Sequence, residues 1–408
     1  MQAYRRCFGK RLVREMSILF VTNRNVINTC GELRLIKNRA VCLQEEYGIK
    51  TDFLVCRSDK CLHKTQEEIG AGSTLTKFFY ADKNPFSLIK QFALLKKAVL
   101  KSLAQNEYEA VILSGNLVLP LAKVVKKKFP EVNLIIDVHG AIEELVEFRG
   151  NGLLKNTIRL TLFRVLKAIE KKYMRYADGI FAVSIALQNY LVKEYGLQNK
   201  QFFIVPCAQG CQELDREEKL SNRRKYREKY GVGDDEKLFI YSGGLSPWQC
   251  IEDSVRLFRM VQQQDNKVKL LLLTGNVEAI RKYEGENVMV DSLPFNLVNE
   301  VICAGDYAFM LRDDFITNNV AYPNKFIEYV ASGMKVLTTP YVHDVAEQVA
   351  NSDIGYIITK ETENGLMDYV KQASEYMEDI SARQALLDDV CFENRLKELV
   401  KNLGKECK

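Results

Sequence analysis

Short apolar runs alternate with amphipathic stretches along most of the chain. Apolar runs of strand length predict buried strands, and apolar residues at helical spacing predict the helices between them. In the first half, the predicted strands are 18–21, 51–55, 110–113, 134–138, 179–183 and 202–205, and the clearest helices are 33–46 and 88–104. Because strands that alternate with helices pair in parallel through right-handed crossovers, this half predicts a doubly wound α/β sheet.

The same pattern begins again after a charged segment. Its predicted strands are 238–241, 269–274, 288–290, 307–311 and 335–339, with a helix at 252–263. A chain of 408 residues is longer than one ordinary domain. We therefore predict a first Rossmann-like domain over 16–211, a connector over 212–236, a second Rossmann-like domain over 237–375, and C-terminal helices over 376–408 that cross back to the first domain.

Composition excludes several classes of protein. Hydrophobic residues make up 47% of the chain, yet no stretch approaches the ~20 apolar residues of a spanning helix. A net charge of +5 and a single tryptophan do not indicate a nucleic-acid-binding surface. The 11 cysteines are scattered, which indicates reduced thiols in a cytoplasmic protein and no metal site. The basic segment 1–15 lacks the apolar core of a signal peptide; it is either a translated stretch upstream of a start at Met16 or a short basic arm.

The strongest local signal is the segment 322–333, which precedes a predicted strand. Pro323 suits the start of a helix and Gly333 its end. Lys325 and Glu328 are three residues apart, so they share a face of that helix and offer a cation for phosphate and a carboxylate for ribose hydroxyls. An ordinary i,i+3 ion pair on a solvated helix is the alternative.

This segment resembles the retaining glycosyltransferases of family 4, which have the bilobal GT-B fold. The resemblance implies that Lys325 contacts the diphosphate and Glu328 the ribose of a UDP- or GDP-sugar. It also implies that Arg312, at the end of a predicted strand, is a second phosphate cation, and that the loop containing Asn318 lines the sugar pocket. The chain departs from the family at Val320, where many members have a glutamate. Arg312 alternatively pairs with its acidic neighbours.

Two loops that follow predicted strands are further candidates. Gly243 and Gly244 allow close backbone approach and successive free amides, which together could cradle an anion. The family has a Lys-Gly pair where this chain has Gln249 and Cys250. In the first half, His139 follows a predicted strand two residues after Asp137, and the resemblance places it over the donor sugar or the acceptor hydroxyl. An ordinary structural role is the alternative for each of these residues.

The loop 22–31 follows the first predicted strand. Its Asn23 and Gly31 could contact a sugar or phosphate at the start of the next helix, or could belong to an ordinary polar loop. Further on, residues 153–175 mix apolar and basic residues at helical spacing. Such a helix lies on an anionic membrane, or packs on the sheet with its basic face in solvent.

The implied activity is a retaining, metal-independent transfer that needs no cofactor. Lys325, Arg312 and the glycine-loop amides would stabilise the departing nucleoside diphosphate. The acceptor would be a glycan or lipid-linked glycan in cell-surface polysaccharide biosynthesis, at the inner face of the membrane. A sugar-nucleotide epimerase of the same shape, and a noncatalytic scaffold with a degenerate donor site, are the alternatives.

Overall fold

A computed structural model describes residues 16–25, 31–57, 73–80, 88–148, 152–208, 215–372 and 380–404. The contacts between residues divide the chain into two units. The first unit ends at Ile135 and also takes in the chain from Val400 onward, and the second unit is Ile136–Leu399. The predicted arm over 1–15 lies outside the described residues, and the domain boundaries drawn from the sequence remain predictions.

The first sheet has seven strands in the order β3-β2-β1-β4-β5-β6-β7. These strands are β1 (Ser17–Asn25), β2 (Lys50–Arg57), β3 (Ser73–Tyr80), β4 (Ala110–Ser114), β5 (Asn133–Val138), β6 (Gly179–Ala182) and β7 (Gln201–Ile204). Parallel pairing sets Phe20 of β1 opposite Phe53 of β2 and Ile112 of β4. The two phenylalanine rings stack with their centroids 5.3 Å apart, so the register places aromatic groups together in the core.

The second sheet has six strands in the order β10-β9-β8-β11-β12-β13. They are β8 (Lys237–Ser242), β9 (Val268–Leu273), β10 (Val288–Asp291), β11 (Tyr307–Met310), β12 (Lys335–Thr338) and β13 (Gly355–Ile357). Every pairing in this sheet is parallel. The order reverses between β8 and β11, and ligands of open α/β sheets bind beyond the carboxyl ends of the strands at such a reversal.

Helices connect the strands of both sheets. Those of the first half are α1 (Gly31–Glu45), α2 (Leu88–Gln105), α3 (Leu121–Lys128), α4 (Glu144–Glu147), α5 (Leu153–Tyr173) and α6 (Ile185–Tyr195). Those of the second half are α7 (Arg216–Lys229), α8 (Ile251–Gln262), α9 (Phe295–Ile302), α10 (Ile316–Asn319), α11 (Asn324–Ser332), α12 (His343–Asn351), α13 (Leu366–Gln372), α14 (Ile380–Val390), α15 (Phe392–Arg395) and α16 (Lys397–Asn402). Among the described helices, none is long and apolar enough to cross a membrane.

The structure confirms the predicted doubly wound sheets and corrects several details. Strand β1 continues to Asn25, so Asn23 lies in the strand and not in the loop that follows it. The sequence pattern missed β3 and β13. The predicted connector contains a helix, α7, whose first turn is closed by a capping box between Asp215 and Glu218.

Helix α7 is fixed to the second sheet by a buried charge cluster. Arg223 and Arg227 both bind the carboxylate of Asp306, at 2.5 and 3.2 Å. The same carboxylate accepts the backbone N–H of Leu238 at the start of β8. A charge-assisted network of this kind fixes the positions of β8 and β11, the two strands between which the strand order reverses.

Candidate functional site

Helix α11 lies against the end of β8, and one buried tyrosine fixes it there. The Tyr329 hydroxyl accepts the N–H of Ser242 at 3.1 Å and lies 3.2 Å from the Ser242 carbonyl, to which it donates. Pro323 precedes the helix, and Gly333 ends it with a φ of 93°, a left-handed conformation that glycine adopts without steric cost. The first turn of α11 is therefore held beside the loop that follows β8.

Lys325, in that first turn, reaches into the loop. Its Nζ donates to Gln249 Oε1 across 2.9 Å and lies 5.9 Å from the centroid of the Tyr241 ring. The Tyr241 hydroxyl donates to the carbonyl of Gly244, which fixes the loop from the other side. The structure thus brings together Lys325 and the glycine loop, which the sequence placed about eighty residues apart.

Gly243 lies directly against the lysine. A Cβ at this position would lie 1.8 Å from Lys325 Nζ and 2.5 Å from Gln249 Oε1. The prediction that successive free amides of the glycine loop cradle an anion is wrong for Gly243, because its N–H donates to the Leu273 carbonyl as part of the sheet edge. The glycine is required for space, and the charge at this site comes from the lysine.

Arg312 supplies a second cation at the reversal of the strand order. It follows β11, is only 8% exposed, and donates from Nη1 to the Leu311 carbonyl. Its backbone exchanges two hydrogen bonds with Thr339, beyond the end of β12. Within the described residues, Arg312 forms no ion pair with Asp313 or Asp314, so the alternative of a simple local pair is not what the structure contains.

Both cations are desolvated, and the charge of Arg312 acts on Lys325. Burial, with a smaller contribution from the charge of Arg312, lowers the pKa of Lys325 to about 7, and the charge of Glu328 opposes the shift. Burial likewise lowers the pKa of Arg312. Neither cation has a carboxylate within ion-pair distance among the described residues. Two desolvated cations near each other are unfavourable alone, and a bound anion would remove that repulsion.

The loop between β8 and α8 has an unusual backbone. Cys250 has a φ of 48° and is the non-glycine residue with a positive φ among those described. This is the position where the resembled family has glycine, which adopts the left-handed conformation freely. Beside it, the ring centroids of Trp248 and Phe148 lie 4.7 Å apart, and those of Phe148 and Phe315 lie 4.9 Å apart.

The other predicted donor residues take more varied positions. Glu328 is half-buried one turn beyond Lys325. Asn318 is buried, and its side-chain amide donates to the Asp313 carbonyl, so it holds the loop in shape. The sequence analysis missed Glu147, whose carboxylate accepts the N–H groups of Ile316 and Thr317 at 2.8 and 3.0 Å. An acidic residue so far away in the sequence gives no signal of this contact.

His139 is paired with its near neighbour. Its Nε2 lies 2.6 Å from Asp137 Oδ2, and the imidazole is 17% exposed, so an ion pair or hydrogen bond to this residue of β5 orients it at the end of that strand. Among the described residues, no group of three or more histidine, cysteine or acidic side chains could hold a metal ion. A role for His139 in the reaction remains a prediction.

Asn23 and Gly31 belong to the first unit. The Asn23 side-chain oxygen would lie 3.2 Å from a Cβ at Gly115, a glycine with a φ of 101° that follows β4. Gly31 begins α1, and the next residue, Glu32, pairs with Arg24 of β1. The polar ends of β1 and β4 therefore adjoin, as expected for neighbouring parallel strands, and the contact of these residues with a ligand remains a prediction.

Comparison with known proteins identifies the fold. No family model matches the chain. The glycosyltransferase from Rickettsia africae superimposes with a TM-score of 0.64 at 12% identity, over 96% of this chain and 98% of that one. The lipopolysaccharide outer core galactosyltransferase WaaB gives 0.64 at 14% identity, over 95% and 100%. The chain has the GT-B fold.

A sequence relative adds a likeness over part of the chain. The chitobiosyldiphosphodolichol beta-mannosyltransferase of Candida albicans is 22% identical over 276 residues, which are 64% of this chain and 57% of the relative. The chain thus spans less than two thirds of that protein. Within the GT-B fold of this chain, Lys325, Arg312 and Gly243 lie at the reversal of the second sheet, where ligands of such sheets bind.

Proposed function

We propose that this chain is a glycosyltransferase that uses a UDP- or GDP-sugar. The observation that carries the proposal is the pair of desolvated cations, Lys325 and Arg312, at the strand reversal of the second sheet. A sugar nucleotide carries a diphosphate with two negative charges. It would relieve the repulsion between the cations, and the cations would stabilise the additional charge that develops as the glycosidic bond breaks.

The proposed roles follow from the position of each group. Lys325 and Arg312 bind the diphosphate, and the missing side chain at Gly243 leaves room for the Lys325 ammonium. Glu328 accepts the ribose hydroxyl hydrogen bonds from one turn further along α11. Gly244 and Asn318 shape the walls of the donor pocket. On this proposal, residues 237–375 form the donor domain and residues 16–211 the acceptor domain, which contributes His139, Asn23 and Gly31.

We infer further that the transfer is retaining and metal-independent, as in family 4. Two cations from the protein supply the charge that a metal would otherwise bring to the diphosphate. The departing phosphate would assist attack by the acceptor on the same face of the sugar. Comparing the anomeric configuration of product and donor by NMR tests this point, because inversion would rule out the same-face course.

The acceptor is proposed to be a glycan or a lipid-linked glycan of cell-surface polysaccharide biosynthesis. The name of the Candida albicans relative describes a mannosyltransferase whose acceptor is a chitobiose carried on a dolichol diphosphate. A lipid-linked acceptor requires the enzyme to work at a membrane, and we place this chain at the cytoplasmic face. The exposed apolar side chains of α5 support that placement: Leu154 is 76% exposed and Ile158 59%, against the alternative of a helix whose apolar face packs on the sheet.

Calorimetric titration with UDP, GDP and their sugars tests the donor site. Lys325→Ala and Glu328→Ala should each abolish specific binding of one nucleotide. Lys371→Ala, which removes an exposed lysine of α13, is the matched control and should leave binding unchanged. Transfer or hydrolysis of the bound donor would exclude a scaffold, and proton exchange at C2 of the sugar would favour an epimerase. No binding of any nucleotide would contradict the proposal.

A further inference from the structure

A second cationic site lies at the C-terminal end of α5. A surface cavity of about 650 Å³ opens between the last turns of this helix and the chain that follows α6. Its lining includes Lys171, Lys172, Arg175 and Lys200. Cavities of this size hold small ligands in other proteins. The cavity lies in the first-half part of the chain and contains none of the residues assigned to the donor site.

The lining is one-sided in charge. Among the described residues, none that lines the cavity is acidic, and the side-chain amide of Asn199 adds further polar groups. Two of the cations are held in place by the backbone: Lys200 Nζ donates to the Ala177 carbonyl at 2.6 Å, and Arg175 Nε donates to the Lys172 carbonyl at 2.8 Å. The latter bond leaves the terminal nitrogens of the Arg175 guanidinium available for an anion.

Helix-dipole compensation explains only part of this cluster. Lys171 and Lys172 lie in the last turn of α5, where cations are favourable. Arg175 and Lys200 lie beyond that helix, and Lys200 belongs to a segment 25 residues further along the chain than Arg175. The tertiary structure therefore brings together cations from separate elements around a single cavity.

One residue that lines the cavity, Lys172, lies on the same face of α5 as the exposed apolar side chains. Lys172 follows Leu154 by 18 residues, which is five turns of about 3.6 residues. Between them, Leu162 and Val165 are also exposed. Lys167, on the opposite side, fixes the helix to the protein through Glu143 and Tyr190 at 2.5 Å each. When the apolar stripe lies in a membrane interface, the cavity is at the level of the lipid headgroups.

We propose that this cavity binds the phosphate group of an anionic phospholipid. The inference rests on the membrane contact proposed above and adds to it a specific headgroup site. Lysine and arginine side chains at a membrane surface attract anionic lipid, and guanidinium and ammonium donors together suit phosphate oxygens. The bound phosphate would anchor one end of α5 while the leucines and isoleucine enter the acyl boundary.

The test compares vesicles of equal surface charge. One set contains phosphatidylcholine with phosphatidylglycerol, and the other contains phosphatidylcholine with ionised oleate, so that the added anion is a phosphate or a carboxylate. Binding of the full chain to the vesicles is measured by flotation. Light scattering of the protein without vesicles gives its oligomeric state. We expect several-fold tighter binding to the phosphatidylglycerol vesicles, because diffuse electrostatic attraction depends on charge density and not on headgroup chemistry.

Three variants identify the groups responsible. Lys171→Gln with Lys172→Gln and Arg175→Gln should weaken binding to phosphatidylglycerol vesicles roughly a hundredfold and remove the difference between the two lipids. Lys123→Gln with Lys127→Gln and Lys128→Gln, which removes three exposed cations of α3, should preserve that difference. Leu154→Ser with Ile158→Ser should weaken binding to both vesicle types alike. All the substituted residues are exposed, so the fold should be retained, and circular dichroism checks it.

Three results would overturn the proposal in distinguishable ways. Equal binding to both lipids by the unaltered chain would show that the cavity does not recognise phosphate, while the membrane contact would stand. No binding to either vesicle type would contradict the membrane contact. If light scattering then showed a dimer that is lost in Leu154→Ser with Ile158→Ser, the exposed apolar side chains of α5 would be an interface between two copies of the chain. Saturable binding of glycerol phosphate at micromolar concentration without vesicles would assign the cavity to a free phosphate ester. Nucleotide binding, measured on the same proteins, tests the donor site separately.

Discussion

Lys325 Nζ donates a hydrogen bond to Gln249 Oε1 across 2.9 Å, and Gln249 occupies the position where the resembled family has a lysine. A neutral amide at this position orients the ammonium without neutralising it. The charge of Lys325 therefore remains available to a ligand, although burial and Arg312 lower its pKa to about 7. In this chain, the amide of Gln249 thus stands in place of the lysine of the resembled family and positions Lys325.

The lowered pKa of Lys325 predicts that donor binding weakens as the pH rises. Above about pH 7 the unliganded lysine loses its proton, and only the protonated form attracts a diphosphate. Between pH 6.5 and 8.5 the affinity for a sugar nucleotide should fall by about tenfold or more. A sugar nucleotide is the right probe, since its diphosphate has no monoester proton that titrates near pH 6. Calorimetry across this range gives the slope.

Lys325→Arg is the control for that experiment. Arginine stays protonated throughout the range. The variant should lose most of the pH dependence, whatever its affinity at a single pH. A slope that survives in Lys325→Arg would assign the titration to another group and contradict the role given to the lysine.

Gly243→Ala should separate binding from stability. The added Cβ would overlap the end of the Lys325 side chain, which can move aside, so the free energy of unfolding should change by less than about 1 kcal/mol. The displaced ammonium should cost at least about tenfold in donor affinity. Gly275→Ala, at the end of the neighbouring strand β9, adds a Cβ with nothing within 4 Å and should alter neither quantity. Equal donor affinity in both variants would refute this reading of Gly243.

The positive φ of Cys250 predicts which substitutions at this position leave the fold more stable. Its φ of 48° costs a residue with a Cβ about 1–2 kcal/mol, and β-branching at this position adds to the strain. Cys250→Val should therefore be about 1–2 kcal/mol less stable than Cys250→Gly in urea unfolding. Equal midpoints with equal slopes would mean that the loop rearranges to remove the strain.

The raised pKa of Glu170 predicts that the stability of the fold changes with pH. Burial raises the pKa of this carboxyl to about 7, and the hydrogen bond from Tyr195 opposes the shift. The folded chain thus holds a proton that the unfolded chain releases near pH 4.5, so stability should fall as the pH rises from about 4.5 to 7.

Glu170→Gln tests that linkage. At pH 8, where the buried carboxylate is ionised, the variant should be more stable by about 1–3 kcal/mol. At pH 5 the two proteins should differ little, because the native carboxyl is then protonated. Thermal unfolding at both values measures the difference, and the same gain at pH 5 and 8 would mean that packing and not charge is responsible.

The proposed donor site was partly predictable from the sequence. The segment 322–333 has local signals for a helix that begins near Pro323 and ends at Gly333, and helical spacing alone places Lys325 and Glu328 on one face. The proximity of Gly243 to Lys325 was not predictable, because it depends on how α11 packs against the end of β8. The bond from the Gly243 amide to Leu273 likewise depends on the sheet edge.

The sequence by itself determined the two doubly wound sheets, because alternating apolar strands and amphipathic helices restrict how a chain can bury its apolar surface. Tertiary structure alone decided which polar groups meet. It placed Gln249 beside Lys325, joined Glu147 to the amides of α10, and left Leu154 and Ile158 exposed although their spacing also fits a packed helix. The physical reason is range: periodicity records the burial preference of each segment, while contacts between distant segments depend on the packing that the whole chain adopts.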